Sequence, residues 1–288
     1  MICQVITQSM SCNPSKLSSH LRQPAKWQAL HEKIQEQRRI MNATRPENVR
    51  CPDCGAVFSP SWDRVEGRWE YPEVNPSGIC HSCQRLREIR ENIEACLCKA
   101  GVPCKYSHCS FDNFRTVKEN QFCIKACGHY IAHHSKTSPG LYLYGSCGTG
   151  KTHLAAAITR QLLLLGKQVM FTCVPMLCLD IKKAFNENSR ITEQDAIQAY
   201  VSCEYLVLDD LGVEKTTEWV KKTLGYIIYE RDNMYKPTII TSNYSLDELS
   251  EQTGQRTASR IAGMSQVIRI LGPDWRLKKS LREGLKAF

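Results

Sequence analysis

The stretch GSCGTGKT, from Gly145 to Thr152, constrains the fold of this chain more than any other feature of its sequence. The apolar run LYLY precedes it, and the helix-forming run HLAAAITRQLLLL follows it. Three glycines let the backbone turn tightly between a strand and a helix, with its N–H groups pointing inward around an anion. The spacing fits G-x-x-x-x-G-K-[ST], which in this context predicts a loop that binds a nucleoside triphosphate. A glycine-rich turn without function is the alternative, which the flanking strand and helix disfavour.

The side chains of this loop have separate predicted tasks. Lys151 is predicted to reach the β- and γ-phosphates, and the hydroxyl of Thr152 is predicted to hold Mg²⁺. The backbone of the turn is predicted to surround the phosphates of ATP. The predicted nucleotide ligands are therefore Gly145, Ser146, Cys147, Gly148, Thr149, Gly150, Lys151, Thr152 and His153.

Two later apolar runs end in polar residues that suit the same ligand. EYLVLDD predicts a buried strand that ends in Asp209 and Asp210. Asp209 is predicted to join the Mg²⁺ shell, and Asp210 to face the attacking water as a base or as the group that orients it, because ligands bind where parallel strands end. KPTIITSN predicts a further strand, and the amide of Asn243 at its end could bond the γ-phosphate or the water. A simple strand cap is the alternative for Asn243.

From Val102 onward, short apolar runs alternate with longer helical patterns: LYLYG, KQVMFTC, EYLVLDD, KPTIITSN and SQVIRIL. This alternation predicts an α/β domain with a largely parallel sheet flanked by helices. Upstream, residues 25–43 predict a short amphipathic helix, and residues 85–101 predict a connecting helix. We expect a division into an N-terminal region, 1–99, and an α/β domain, 100–288.

Composition and charge limit the classes of protein to which the chain can belong. No run of about 18 apolar residues is present, and the N-terminus has no signal-peptide pattern, which predicts a cytoplasmic protein without a membrane partner. The formal net charge is +9, of which residues 1–50 carry +5 and residues 256–288 carry +6. Basic ends indicate a polyanion or an acidic partner. Ordinary solvated tails are the alternative.

Ten of the 16 cysteines lie between residues 51 and 127. The pairs CPDC and CHSC place four thiols at zinc-ligand spacing, which predicts a closed, structural Zn²⁺ site within a zinc ribbon at about residues 50–84. Its predicted ligands are Cys51, Cys54, Cys80 and Cys83, and the intervening WDRVEGRWEYPEVNP can form a β-hairpin. Reduced cysteines without metal are the alternative. A second metal site could be formed by Cys96, Cys98, Cys104 and Cys109, but their irregular spacing disfavours it.

The chain resembles the AAA+ ATPases of the DnaC/DnaI helicase-loader and IstB transposition-helper group. Four motifs carry this resemblance, in this order: GSCGTGKTHLAAAI, LVLDDLG, PTIITSN and RTASRIAG. AGVPCKY and SFDNF also resemble the start of that ATPase core. The resemblance covers about residues 100–276. It implies an AAA+ P-loop core in which Lys151 and Thr152 belong to Walker A, Asp209 and Asp210 to Walker B, and Asn243 to sensor 1.

Three arginines acquire roles only through the resemblance. It implies that Arg260 is the arginine finger that reaches the nucleotide of a neighbouring subunit, with Arg256 as the second candidate. Hydrolysis would then depend on a homo-oligomer. The resemblance also implies, from GPDWRLKK, that Arg276 touches the nucleotide.

One departure from the group concerns the second Walker B acid. Many AAA+ proteins have glutamate where this chain has Asp210. The aspartate side chain is one methylene shorter, so its carboxylate lies farther from the attacking water. The hypothesis is that ATP turnover is slow and that ATP binding acts more as a switch.

The resemblance implies an ATP-dependent loader of the hexameric replicative DNA helicase onto single-stranded DNA. The N-terminal region would bind the helicase, and the ATPase core would bind the DNA. Basic residues near aromatic ones suit DNA binding, in which the charges contact the backbone and the rings stack on bases. The basic residues are Lys182, Lys183 and Arg190, and the aromatic ones are Phe171 and Tyr200. An ordinary solvated face is the alternative. Two other functions stay open. One is an IstB-like transposition helper that binds target DNA, although that group typically starts with a plain helical segment. The other is a zinc adaptor that binds nucleotide without significant hydrolysis.

Overall fold

The computed structural model describes residues 31–36, 39–41, 44–63, 65–66, 68–133, 138–184, 192–212 and 217–278. Contacts divide the chain into two compact units, Met1–Cys83 and Gln84–Phe288. The functional boundary expected between residues 99 and 100 stays a prediction. Within the described ranges, no helix combines the length and the apolar character needed to cross a membrane.

Two antiparallel ribbons of two strands each form the framework of the first unit: β1 (Val49–Arg50) with β2 (Val57–Phe58), and β3 (Ser61–Asp63) with β4 (Arg68–Glu70). Trp62 lies opposite Trp69, and their rings meet edge to face with centroids 5.4 Å apart. Aromatic cross-strand pairs of this kind stabilise a ribbon. The hairpin predicted between the two cysteine pairs is confirmed. Residues 31–36 and 39–41 of the predicted amphipathic helix are helical, and its other residues lie outside the described ones.

A five-stranded sheet forms the centre of the second unit, with strands β5 (Gly140–Tyr144), β6 (Val169–Cys173), β7 (Tyr205–Leu211), β8 (Thr238–Ser242) and β9 (Ser265–Arg269). The strand order is β6-β7-β8-β5-β9, and all neighbouring strands are parallel. The five apolar runs predicted as strands are thus all confirmed. Because β8 lies between β5 and β7, the carboxyl ends of these three strands meet at one edge of the sheet.

Nine α-helices lie among the described residues between 81 and 264: α1 (His81–Glu91), α2 (Ile93–Lys99), α3 (Gln121–Ala132), α4 (Lys151–Leu164), α5 (Val174–Lys183), α6 (Glu193–Ser202), α7 (Glu218–Asn233), α8 (Leu246–Thr253) and α9 (Gln255–Met264). The single connecting helix predicted over residues 85–101 is therefore two helices. Ile89 of α1 and Leu97 of α2 are buried in the same cluster as residues of α4. Local sequence sets some of the boundaries, since Ser245 and Glu248 form a capping box at the start of α8.

The sheet separates two buried apolar layers, and alternation along each strand assigns side chains to them. On β5, Leu141 and Leu143 face the layer that includes α3 and α4. Tyr142 faces the other layer, which includes residues of α7 and α9. Consecutive residues of β8 alternate in the same way, with Ile239 on one side and Ile240 on the other. Strands that are apolar on both faces are typical of parallel sheets covered by helices.

Burial overturns one sequence prediction in this unit. Phe171 is 4% exposed and Tyr200 is 6% exposed, so neither ring can stack on a nucleic-acid base. Phe171 packs in the layer with α4, and the hydroxyl of Tyr200 donates to Asp180 Oδ2 at 3.1 Å. Their apolar character serves the core. Lys182 and Lys183 are exposed on α5, and Arg190 lies outside the described residues.

Arg231, on α7, is fully buried and serves as a polar anchor between sheet and helices. Its guanidinium donates to the carbonyl oxygens of Tyr200, Val201, Cys203 and Pro237, at 2.9, 3.1, 2.9 and 2.7 Å. Its Nε also donates to the Thr238 hydroxyl at 2.9 Å. The acceptors lie just before β7 and at the start of β8. This one side chain therefore supplies hydrogen bonds to the carbonyl oxygens of both chain reversals that lead into these strands.

We expect Arg231→Ala to lower the free energy of unfolding by at least about 3 kcal/mol, because several buried carbonyl oxygens would lose their donors. Denaturant unfolding monitored by circular dichroism measures the change. Arg256→Ala, at an exposed position of α9, is the matched control and should stay within about 0.5 kcal/mol of the parent. Equal stability of the two variants would contradict the role given to Arg231.

Candidate functional site

The glycine-rich turn connects β5 to α4 and is closely packed on its outer side. Gly148 has φ +73°, and a Cβ built there would lie 1.9 Å from Oδ1 of Asp274. Gly150 has φ +100°, and its Cβ would lie 2.7 Å from the ring of Phe114. Both positions therefore require glycine on conformational and steric grounds. The turn delivers Lys151 as the first residue of α4, so the helix N-terminus faces the concave side of the loop.

The Lys151 side chain lies within the turn that precedes it. Its Nζ donates to the carbonyl oxygens of Gly145 and Ser146, at 3.0 and 2.9 Å. Burial lowers the pKa of this ammonium, and the nearby carboxylate of Asp210 opposes that effect. A buried ammonium held by the loop is a compact positive charge at the place where the sequence predicts phosphates.

Asp209 is the last residue of the continuous buried run of β7, which begins at Tyr205. Its Oδ1 accepts a hydrogen bond from the Thr241 hydroxyl at 2.6 Å. Burial raises the pKa of Asp209 to about 6, and hydrogen bonds from the side chains of Thr241 and Thr152 lower it in part. The structure thus brings a carboxylate and a threonine hydroxyl together as hard oxygen donors, which suits Mg²⁺.

Asp210 has a backbone conformation that directs it away from its neighbour. It is one of two non-glycine residues with positive φ among the described residues, at +55°. The regular pairing of β7 with β8 is interrupted between Leu208 and Leu211, and the Asp210 N–H donates to the Thr241 hydroxyl at 2.8 Å. Asp209 is consequently buried, whereas Asp210 is exposed at the cavity wall.

A cavity of about 560 Å³ lies over the turn and collects most of the predicted residues. Nine residues that the sequence predicts for the site line this cavity: Cys147, Gly148, Gly150, Lys151, Thr152, His153, Asp210, Asn243 and Arg276. Six further lining residues were not predicted from the sequence: Tyr106, His108, Asn113, Phe114, Arg115 and Trp275. Four other predicted residues do not line the cavity but contact the turn or the strands that form it. They are Gly145, Ser146, Thr149 and Asp209.

The missed residues come from segments before β5 and after β9. Trp275 donates its backbone N–H to the Gly148 carbonyl oxygen at 3.1 Å, and Arg115 lies over its ring at 5.2 Å from the centroid. His153 is close to Ser110, with 2.9 Å between Nε2 and the Ser110 carbonyl oxygen. No spacing rule links residues so distant in the chain. The available signals were the aromatic character of SFDNF and GPDWR and the resemblance of these segments to the ATPase group.

Arg260 lies on α9 and is absent from the lining of this cavity. Its Nη1 is 3.2 Å from Asp232 Oδ2, and its guanidinium lies 4.4 Å from the ring centroid of Tyr229. These contacts hold the half-exposed side chain on α7. Arg256 lies one turn earlier and is exposed. The finger role, and the choice between the two arginines, stay predictions.

The first unit contains a second candidate site, made of four thiols. The Sγ atoms of Cys51, Cys54, Cys80 and Cys83 all lie within 4.8 Å of one another. The Cys80 backbone N–H donates to Cys51 Sγ at 3.4 Å, and this bond is the main reason that the pKa of Cys51 falls to about 6. Four converging sulfurs, one of them favoured as thiolate, form a donor set that suits a tetrahedral metal ion.

The other four cysteines considered for a metal do not converge. Only Cys98 and Cys104 meet, with Sγ atoms 3.5 Å apart. Cys109 is buried in the core, and Cys96 packs against it. Within the described ranges, no group of three or more metal-binding side chains includes any of these cysteines.

The titration of Asp209 yields a prediction for the metal-free protein. Because its folded pKa of about 6 exceeds the ordinary value of 3.8, this group lowers the free energy of unfolding as pH rises through that interval. Asp209→Asn keeps an oxygen acceptor for Thr241 and removes the buried charge. We therefore expect the variant to gain stability relative to the parent as pH rises from about 4 to about 6, measured by urea unfolding in EDTA. A difference independent of pH would contradict the assignment.

Comparison with known proteins agrees with this geometry. The family model described as IstB-like ATP binding protein matches residues 110–283. The replicative helicase loader DnaC of Escherichia coli (strain K12) is 29% identical over 186 residues, which is 64% of this chain and 76% of DnaC. The replicative helicase loader DnaI of Bacillus subtilis (strain 168) is 31% identical over 144 residues, 48% of this chain and 45% of DnaI.

The fold is shared with solved structures as well. The crystal structure of the DnaC helicase loader superposes with a TM-score of 0.53 at 27% identity, covering 58% of this chain and 99% of that one. The predicted AAA+ architecture of the second unit is confirmed. The family match spans the turn, the two aspartates and every cavity-lining residue except Tyr106 and His108. Because the family model matches more than half of the chain and includes the phosphate-binding turn, this chain belongs to the IstB-like ATP binding protein family.

Proposed function

We propose that this protein is an ATP-dependent loader of the replicative DNA helicase onto single-stranded DNA. The observation that carries the proposal is the cavity at the carboxyl ends of β5, β7 and β8, in a chain similar to proteins named replicative helicase loaders. The zinc-ribbon region that the sequence predicts also suits the loader branch of the group.

The chain's own residues support ATP hydrolysis at this cavity. Lys151 would turn from the loop carbonyls to the β- and γ-phosphates, and Thr152 and Asp209 would supply oxygen ligands to Mg²⁺. Mg²⁺, when bound, would neutralise charge on the phosphates. Asp210 would accept the proton of the attacking water, and Asn243 would orient that water or the γ-phosphate.

Oligomerisation is part of the proposal because Arg260, the predicted finger, does not line the cavity of its own chain. Arg260 is held at the surface by Asp232 and Tyr229, a position from which it can be presented to a neighbouring subunit. A guanidinium supplied in trans would make hydrolysis depend on assembly. We place the ATPase in residues 100–288 and helicase binding in residues 1–99.

Single-stranded DNA is proposed as the second partner. Lys182 and Lys183 are exposed on α5, together with Met176 and Leu179. Lys183 pairs with Asp180 at 2.6 Å, so its charge is partly compensated. The exposed lysines favour a surface that contacts the DNA backbone, and Phe171 and Tyr200 take no part in it.

The transposition-helper function is the second candidate, because the matching family model carries the IstB description. Both functions use the same ATP cavity and a DNA partner. They differ in the protein that is recruited. Recovery of a hexameric helicase therefore favours the loader, and recovery of a transposase favours the helper.

The loader proposal predicts that tagged, full-length protein, purified with ATP from its native cells, retains the replicative helicase. On circular single-stranded DNA, it should raise the amount of bound helicase recovered by gel filtration. We expect Lys151→Ala to reduce this loading at least about tenfold, because the phosphate charge loses its partner. Lys125→Ala, at an exposed position of α3, is the matched control. Loading that is undiminished in Lys151→Ala would favour the adaptor function.

The shorter acid at position 210 predicts a slow ATPase that DNA stimulates. Asp210→Glu should raise the steady-state rate of phosphate release at least about twofold, because the carboxylate would lie closer to the water. Asp247→Glu, an exposed aspartate of α8, should leave the rate unchanged. An unchanged or lower rate in Asp210→Glu would count against the hypothesis.

The four-thiol site is proposed to hold one structural Zn²⁺. Purified protein should contain about one zinc per chain by elemental analysis, and Cys83→Ser should lose most of it because one of four ligands is removed. Cys98→Ser is the matched control and should retain the metal. Protein that is free of zinc after purification in zinc-supplemented medium would refute this assignment.

A further inference from the structure

Two exposed thiols face each other in the second unit. Cys98 lies in the last turn of α2, and Cys104 begins the 3₁₀ turn Cys104–Tyr106. Their Sγ atoms are 3.5 Å apart, and both residues are exposed. A disulfide bond has a length of about 2.05 Å, so small side-chain rotations would bring the sulfurs into bonding range.

The backbone between the two thiols is held in a tight reversal. The Gly101 N–H donates to the Cys98 carbonyl oxygen at 3.0 Å, and the Val102 N–H donates to that of Leu97 at 3.0 Å. Gly101 has φ +100°, and a Cβ there would lie 2.0 Å from the Phe171 carbonyl oxygen. The reversal is thus packed directly against β6. The fold itself maintains the proximity of the two sulfurs.

The chemistry of the pair favours a disulfide over a metal ion. Structural zinc takes four ligands, and two thiols supply only half of such a set. In the part of the chain that the structure describes, no third metal-binding side chain joins Cys98 and Cys104. The nearby Cys109 is 2% exposed within the core, and Cys96 packs against that core.

We propose that Cys98 and Cys104 form a reversible dithiol–disulfide site that exchanges with small-molecule disulfides such as glutathione disulfide. The Cys104 thiolate attacks one sulfur of the glutathione disulfide, which releases one glutathione thiolate and leaves a mixed disulfide on Cys104. The Cys98 sulfur then attacks Cys104 Sγ, forms the intramolecular bond and releases the second glutathione. Two protons pass from the cysteines to the two glutathione thiols, so the reaction is balanced.

The contact between the thiols also favours one order of these steps. The hydrogen bond with Cys104 raises the pKa of Cys98, which makes Cys98 the less reactive thiol towards the first disulfide. In compartments where thiols are kept reduced, a disulfide of this kind forms only when the thiol pool becomes oxidising. The site is accordingly a sensor of thiol redox state and not a permanent cross-link.

The pair lies just before one wall of the nucleotide cavity. Tyr106 and His108, which follow Cys104 closely, line that cavity. Arg160 of α4 donates to the carbonyl oxygens of Ser107 and Cys109, at 2.8 and 3.1 Å. A disulfide would therefore cross-link α2 to the segment that connects the cavity wall with α4.

The sequence allows a direct test with the full-length protein. Trypsin cleaves after Lys99 and Lys105, so Cys98 lies on the peptide ENIEACLCK and Cys104 on the peptide AGVPCK. The protein is treated with glutathione disulfide, alkylated, digested and analysed by mass spectrometry without further reduction. We expect the two peptides to appear as one cross-linked species that disappears after treatment with dithiothreitol.

Three variants make the result specific. Cys96→Ser, on the same peptide as Cys98, should keep the cross-link. Cys98→Ser should lose it and carry one glutathione on Cys104, and Cys104→Ser should also lose it. The proposal is overturned if both thiols are alkylated separately while exposed Cys147 carries glutathione, or if Cys98→Ser lowers the zinc content. No nucleotide is used, so the outcome is independent of the proposed ATPase function.

Discussion

The Thr241 hydroxyl is the point on which the nucleotide cavity depends, because it contacts both acidic residues of β7. It donates to Asp209 Oδ1 at 2.6 Å and accepts from the Asp210 N–H at 2.8 Å. This is possible only because β8 lies beside β7 in the sheet. One hydroxyl thereby compensates a buried carboxylate and fixes the left-handed residue that follows it, so that the two acids take different environments.

Different environments give the two aspartates different chemistry. Burial raises the pKa of Asp209, and the positive ammonium of Lys151 and the oxygen of Thr152 lie on the same side. A divalent cation would remove the cost of that buried charge, which is a physical reason for a metal to bind there. Asp210 remains exposed at the cavity wall, which suits its proposed contact with the attacking water.

Sequence patterns predicted the elements whose chemistry is local. GSCGTGKT determines its own turn, and the alternation of apolar runs determined all five strands of the parallel sheet. The CxxC pairs likewise brought four sulfurs together. Patterns failed where burial decides the outcome. In the sequence, Phe171 and Tyr200 lie near basic residues and therefore suggest base stacking. The pleat of β6 and the packing of α6 place both rings in the core.

The remaining parts of the site could not be predicted because they are joined only in three dimensions. Trp275 reaches Gly148 from beyond β9, and Phe114 packs on Gly150 from before β5. Arg231, an ordinary helix residue in the sequence, satisfies four carbonyl oxygens at the ends of other elements. Long-range hydrogen bonds of this kind leave no spacing signature.

The proposed ATPase and loading functions both require that a magnesium-complexed triphosphate binds between the Lys151 turn and the Asp209 carboxylate. Equilibrium titration of the full-length protein with ATP, with and without Mg²⁺, measures this most directly. We expect one ATP per chain, tighter in Mg²⁺, with affinity reduced at least about tenfold in Lys151→Ala and unchanged in Lys125→Ala. Absence of ATP binding, or equal binding by the parent and Lys151→Ala, would contradict the account.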